Sequence, residues 1–162
     1  WKINRLIVER DWGLMDSMPH GKRVKKYAEV IAKRLQAMIF WRPIDGERLI
    51  DLEVRIRIFF DTLHREYDGM DVIVVAHGEV IEMMQCILER MTQAEFKEYS
   101  SDKGREVGNC SIVQYTRMDL VTMQMQPHFT AVRLIAAGDT TKASHDWRPI
   151  KFKTYSDADL LY

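Results

Sequence analysis

Residues 71–80 read DVIVVAHGEV, four β-branched residues in succession and then Ala76-His77-Gly78. An apolar run on consecutive positions, without alternation, is the pattern of a strand covered on both faces in a parallel sheet. Functional groups in such sheets collect just beyond the carboxyl ends of the strands. His77 occupies that place. Gly78 allows close backbone approach, and the helix expected from Val80 to Arg90 would turn its N–H groups toward an anion. A lone histidine after a strand is more often structural than catalytic, so the rest of the chain has to decide.

Upstream, ERLIDLEVRIRIFFDTLHREY is the clearest helix, with Leu49, Leu52, Ile56, Phe59, Phe60, Leu63 and Tyr67 on one face. Lys22 to Phe40 reads as a basic amphipathic helix, its apolar stripe being Val24, Tyr27, Ile31, Leu35 and Met38. Its Lys22, Arg23, Lys25, Lys26, Lys33 and Arg34 form either a solvated face or a basic surface that draws an anionic substrate. Arg5 to Val8 is a short apolar run, a strand end or a buried loop. Thr92 to Tyr99 is a helix with Thr92 as N-cap and Glu95 closing a capping box. Asn109 to Thr116 is a second strand, and Val121 to Gln126 with Ala131 to Ile135 are candidate edge strands. The alternation predicts an α/β fold, a three-layer α/β/α sandwich with a largely parallel sheet. There is no repeat or linker, so residues 1–162 are expected to form a single domain.

The bulk composition excludes several classes. Lys+Arg and Asp+Glu both number 24, so no net field favours nucleic acid or an anionic membrane. No apolar run approaches the roughly 18 residues of a membrane span. Cys86 and Cys110 lack zinc or disulfide-framework spacing, which fits a reducing, cytoplasmic setting. The ten methionines have no metal pattern and suit core filling.

Glu9-Arg10-Asp11-Trp12-Gly13 follows the first apolar run. Taken alone, it is a surface ion pair beside a packed tryptophan. Taken in order, ERDWG, PIDGERLIDLEVR, VIVVAHGEV and GNCSIVQYT resemble the motifs of the histidine phosphatase superfamily, the phosphoglycerate mutase-like proteins, over about Leu6 to Thr116. The resemblance implies that phosphoryl transfer runs through a phosphohistidine, with no metal or organic cofactor. It implies that His77 is the second histidine of the site, donating to the phosphoryl oxygens. Glu9 becomes the acid that protonates the leaving oxygen and then the base that activates water. Arg10, Trp12 and Gly78 become substrate-binding residues, Arg10 and Trp12 lining the mouth, and Arg55 a structural arginine. Arg48 departs from the family's serine.

The family's nucleophile lies in an Arg-His-Gly motif ahead of ERDWG, and this chain begins eight residues before Glu9. His20-Gly21 lacks the arginine and the strand. His64 falls on an amphipathic helix, where it is expected to be solvated, and His128 and His145 lie in irregular sequence. The resemblance therefore implies a domain incomplete at its N-terminus, its sheet to be completed by the missing segment or by a second chain. The segment between Gly13 and Gly46 is shorter than the mutases' insertion, which is similar to the phosphatase branch. The expected function is hydrolysis of a small phosphorylated substrate. A mutase, and a non-catalytic phospho-ligand or protein-binding module on the same fold, are the alternatives.

Overall fold

The computed structural model describes residues 1–34, 37–102, 107–137 and 146–152. In chain order these form α1 (His20–Lys26), α2 (Ala28–Arg34), α3 (Leu49–Glu66), α4 (Gly78–Leu88), α5 (Gln93–Ser101), β1 (Ile112–Thr116), β2 (Ala131–Ile135) and β3 (Arg148–Pro149). Arg5–Ile7 and Gly13–Met15 are single 3-10 turns.

The core lies where the apolar stripe of α3 meets α4. Leu52 and Ile56 are fully buried, and Leu49 and Phe59 nearly so. Val80, Met83 and Met84 of α4 and Phe96 and Tyr99 of α5 join the same cluster. The one polar side chain α4 buries there, Gln85, accepts a 2.6 Å hydrogen bond from the Tyr99 hydroxyl, so its burial leaves no oxygen unpaired. Thr92 and Glu95 cap α5 reciprocally, as the spacing predicts. At the start of α3 a different device stands in for a hydroxyl cap. The Asp51 carboxylate reaches back to the Arg48 backbone N–H at 3.2 Å and accepts its guanidinium at 2.7 and 2.8 Å. Those bonds hold the Asp51 carboxyl below the usual carboxylate range.

The fold is α/β, but the described sheet is small and antiparallel, in the order β1-β2-β3. This corrects the expected largely parallel sheet and, with it, the three-layer sandwich. The physical reason lies in residues 71–77. They pair with no strand among the described residues. Val74 and Ala76 pack on the helical core, whereas Ile73 and Val75 are 77% and 73% exposed. A consecutive apolar run calls for cover on both faces. Only one is covered here.

Two other expectations are revised. Residues 121–126 form no edge strand. Asp119 Oδ1 accepts from the Val121 and Thr122 amides, and that turn reverses the chain between the bridged Met118 and Met125. The single helix expected from Lys22 to Phe40 is instead two short helices, broken at Tyr27, which leaves helical geometry at φ −121°. Arg23 and Arg34 would stand about 16 Å apart along a straight helix. Both guanidiniums instead stack on one indole, Trp12, at 4.4 and 5.3 Å from its centre, and the break lets the chain bring them together. Arg5–Ile7, read as a strand end or buried loop, is a 3-10 turn whose Leu6 and Ile7 pack on the core. No helix among the described residues is long and apolar enough to cross a membrane.

Candidate active site

Two loops clamped backbone to backbone place the first half of the site. The Leu14 amide donates to the Ile44 carbonyl at 3.0 Å, and the Glu47 amide to the Asp11 carbonyl at 2.8 Å. Gly13 sits in this clamp at φ +55°, and a Cβ there would stand 2.1 Å from the Ile44 oxygen, so only glycine fits. Arg55 of α3 fixes the loop from below. It grips the Glu47 carboxylate through two nitrogens, at 2.7 and 2.9 Å, and donates to the Leu6 and Glu9 carbonyls. It touches no open surface of the site, in keeping with a structural role.

The second half is the start of α4. His77 is its N-cap residue, with extended backbone. Its Nδ1 lies 3.8 Å from Glu9 Oε2, and both side chains are open to solvent. The other Glu9 oxygen accepts from the Arg10 amide at 2.8 Å, which orients the carboxylate toward the imidazole. Sequence-distant Glu9 and His77 thus meet beside a cleft of about 390 Å³ whose lining includes Glu9, Trp12, Arg23, Arg34, Gly78 and Glu79. His77 stands at its edge, beside Gly78. A Cβ built on Gly78 meets nothing within 4 Å, so this wall is open to a ligand.

Arg10 and Trp12 part company. The Trp12 ring reaches the cleft, as expected, and its Nε1 donates to Glu79 Oε2 at 2.9 Å. Arg10, expected to line the mouth, is only 1% exposed and lies beneath the floor. Its Nε donates to the Glu47 carbonyl at 2.9 Å and its Nη1 to Glu79 Oε1 at 3.3 Å, between the Trp12 and Trp41 rings. Burial pulls its guanidinium below the usual arginine range, and the Glu79 carboxylate opposes that pull.

Sequence reading left Glu79 and Trp41 unassigned, and gave Arg23 and Arg34 only as part of a solvated face or a substrate-drawing basic surface. Glu79 ties Arg10, Trp12 and Arg34 together, the last donating from Nη2 at 3.2 Å. A carboxylate in the first turn of a helix suits the helix dipole, and that was its available signal. Among the other histidines, His64 and His128 are exposed. His145 lies outside the described residues.

The family model of the histidine phosphatase superfamily (branch 1) matches residues 1–123. The 2,3-bisphosphoglycerate-dependent phosphoglycerate mutase 2 of Gloeobacter violaceus is 23% identical over 140 residues, covering 81% of this chain and 64% of its own length. The chain therefore spans less than two thirds of that relative. With residues 1–123 of 162 matched, the chain belongs to the histidine phosphatase superfamily, branch 1.

Proposed function

We propose that this chain carries the acid/base and phosphate-holding half of a phosphoryl-transfer site that hydrolyses a small phosphomonoester, the nucleophilic histidine coming from outside these 162 residues. The supporting observation is the 3.8 Å approach of Glu9 to His77 beside a cleft whose lining includes Arg23 and Arg34 together with Glu79 and Glu82. A histidine nitrogen from that further segment attacks phosphorus and the P–O bond to the leaving group breaks. Glu9, entering as the carboxylic acid, gives its proton to the departing oxygen. His77 donates to a phosphoryl oxygen as charge shifts, and the Gly78 amide adds the helix end. Water then attacks phosphorus, Glu9 takes its proton, and the P–N bond breaks to release phosphate.

Arg23 and Arg34 also line the cleft. They would bind the anionic substrate and take no part in bond breaking. Their reversal to glutamate (R23E, R34E) is expected to raise KM at least about tenfold with a smaller change in kcat, the signature of lost uniform binding. A fall in kcat with KM unchanged would remove this assignment.

The mutase relative favours a second reading, transfer of the phosphoryl group to another hydroxyl of a phosphoglycerate-type substrate. Product analysis separates the two, since hydrolysis releases inorganic phosphate in step with substrate loss and a mutase releases almost none. A protein that joins this chain to an Arg-His-Gly segment yet turns over no phosphomonoester would leave the non-catalytic binding module as the correct description.

A further inference from the structure

The charges of the cleft limit the kind of leaving group it can take. Glu79 accepts from Arg10 Nη1 at 3.3 Å, from Arg34 Nη2 at 3.2 Å and from Trp12 Nε1 at 2.9 Å. Two guanidiniums and an indole N–H would suit a substrate carboxylate, and a carboxylate of the chain already engages all three. Arg23 differs. It pairs with no carboxylate among the described residues, its Nη2 donating to the Met18 carbonyl at 3.3 Å and its Nε lacking a partner.

Among the described residues that line the cleft, Arg23 and Arg34 are the only cations, and Glu9, Glu79 and Glu82 outnumber them. Arg23, His77 and the Gly78 amide can hold one phosphoryl group with help from Arg34, but no cation is left for a second anion. The rest of the lining is largely apolar, with Val24 from α1, Ile31 from α2, Val107 from ahead of β1, and the Trp12 ring. Its volume of about 390 Å³ is near the small end for ligand pockets, room for one small organic phosphate.

We infer that Glu79 is a specificity-determining residue: its carboxylate fills the place of a second substrate anion, so the cleft selects phosphomonoesters whose leaving group is uncharged and partly apolar. The inference rests on the phosphoryl-transfer reading above and narrows it. A substrate with a carboxylate beside its phosphate, as in a phosphoglycerate, would bring that group against Glu79. The Glu79 side chain is only 19% exposed, so solvent screens the repulsion less than at an open surface. Such a repulsive element rejects the wrong ligand without tightening the right one.

Two phosphonates of equal size make the test, 4-carbamoylphenylphosphonate and 4-carboxyphenylphosphonate, which differ by one negative charge. Neither needs a nucleophile, so binding to the 162-residue chain is read directly from the Gly78 amide resonance. The carbamoyl compound is expected to bind at least about tenfold more tightly, since like charges brought together in a site are strongly disfavoured. Glu79→Gln should close that gap to about twofold or reverse it, the freed arginine donors then receiving the ligand carboxylate. Glu82→Gln, one turn further along α4, should leave the gap in place. Equal affinities in the parent would overturn the inference while leaving the phosphoryl-transfer reading intact, and so would an unchanged gap in a folded Glu79→Gln chain. Loss of the gap in Glu82→Gln would also overturn it, and decides the matter if Glu79→Gln does not fold. A parent that binds neither phosphonate would remove the phosphate-holding reading, and the inference with it.

Discussion

His77→Ala is expected to lower kcat on a phosphomonoester by about 10²–10³-fold if the proposed donor role holds, the usual cost of removing one donor to a transferring group. The assay uses a protein that joins this chain to an Arg-His-Gly segment. His77 caps α4 with a side chain that is 60% exposed and outside the core, so its removal creates no cavity, and a loss would read as catalysis rather than unfolding. Glu9→Gln gives a different signature. It slows an alkyl phosphate strongly and an activated aryl phosphate mildly, because a good leaving group departs with little acid assistance. Steady-state rates on both substrates for parent, His77→Ala and Glu9→Gln make the comparison. Equal loss on both substrates for Glu9→Gln would remove its acid role, and turnover by the 162-residue chain alone would remove the need for an outside nucleophile.

Glu79→Leu is expected to destabilise the chain by about 3 kcal/mol, near the lower end of the range for breaking a buried ion pair by removing one partner. Glu79 accepts from Arg10, Arg34 and Trp12, and is itself 19% exposed. Water can therefore repair part of the damage at Arg34. It cannot reach Arg10, whose side chain is completely buried and would keep only the Glu47 carbonyl, since Nη2 already lacks a partner among the described residues. Arg10→Met should cost less than Glu79→Leu, because the carboxylate left behind still has Arg34 and solvent. The double variant should cost less than the sum of the two. Urea unfolding of the four chains measures this cycle. A Glu79→Leu chain within 0.5 kcal/mol of the parent, about the spread of ordinary surface changes, would show that the cluster under the cleft holds nothing in place.

Local chemistry was readable wherever one segment contained all of it. The stripe of α3, the Thr92/Glu95 box and strand β1 each rest on residues within a turn or two of one another. What failed was anything that depended on partners. The VIVVA run signals burial on two faces but says nothing of what supplies the second, and a parallel sheet was inferred where the described residues leave Ile73 and Val75 in solvent. The stripe from Val24 to Met38 marks a face and not an unbroken axis. With no proline or glycine at Tyr27, nothing local announced the break. Glu9 and His77 were legible as candidate site residues because their motifs occur in the family's order. The Arg10–Glu79–Arg34 cluster was not, since its members come from three separate segments and its logic is the burial of one charge.

The proposed phosphate-holding role of the cleft can be tested on the chain as it stands, by titrating inorganic phosphate into isotopically labelled protein and following histidine ring and backbone amide resonances. The expected result is a saturable shift of the His77 ring and the Gly78 amide, with His64 and His128 unmoved, weakened at least about tenfold when Arg23 and Arg34 are reversed to glutamate. Shifts confined to other surfaces, or a His77 ring that does not respond at any phosphate concentration, would contradict the assignment of this cleft to phosphoryl transfer.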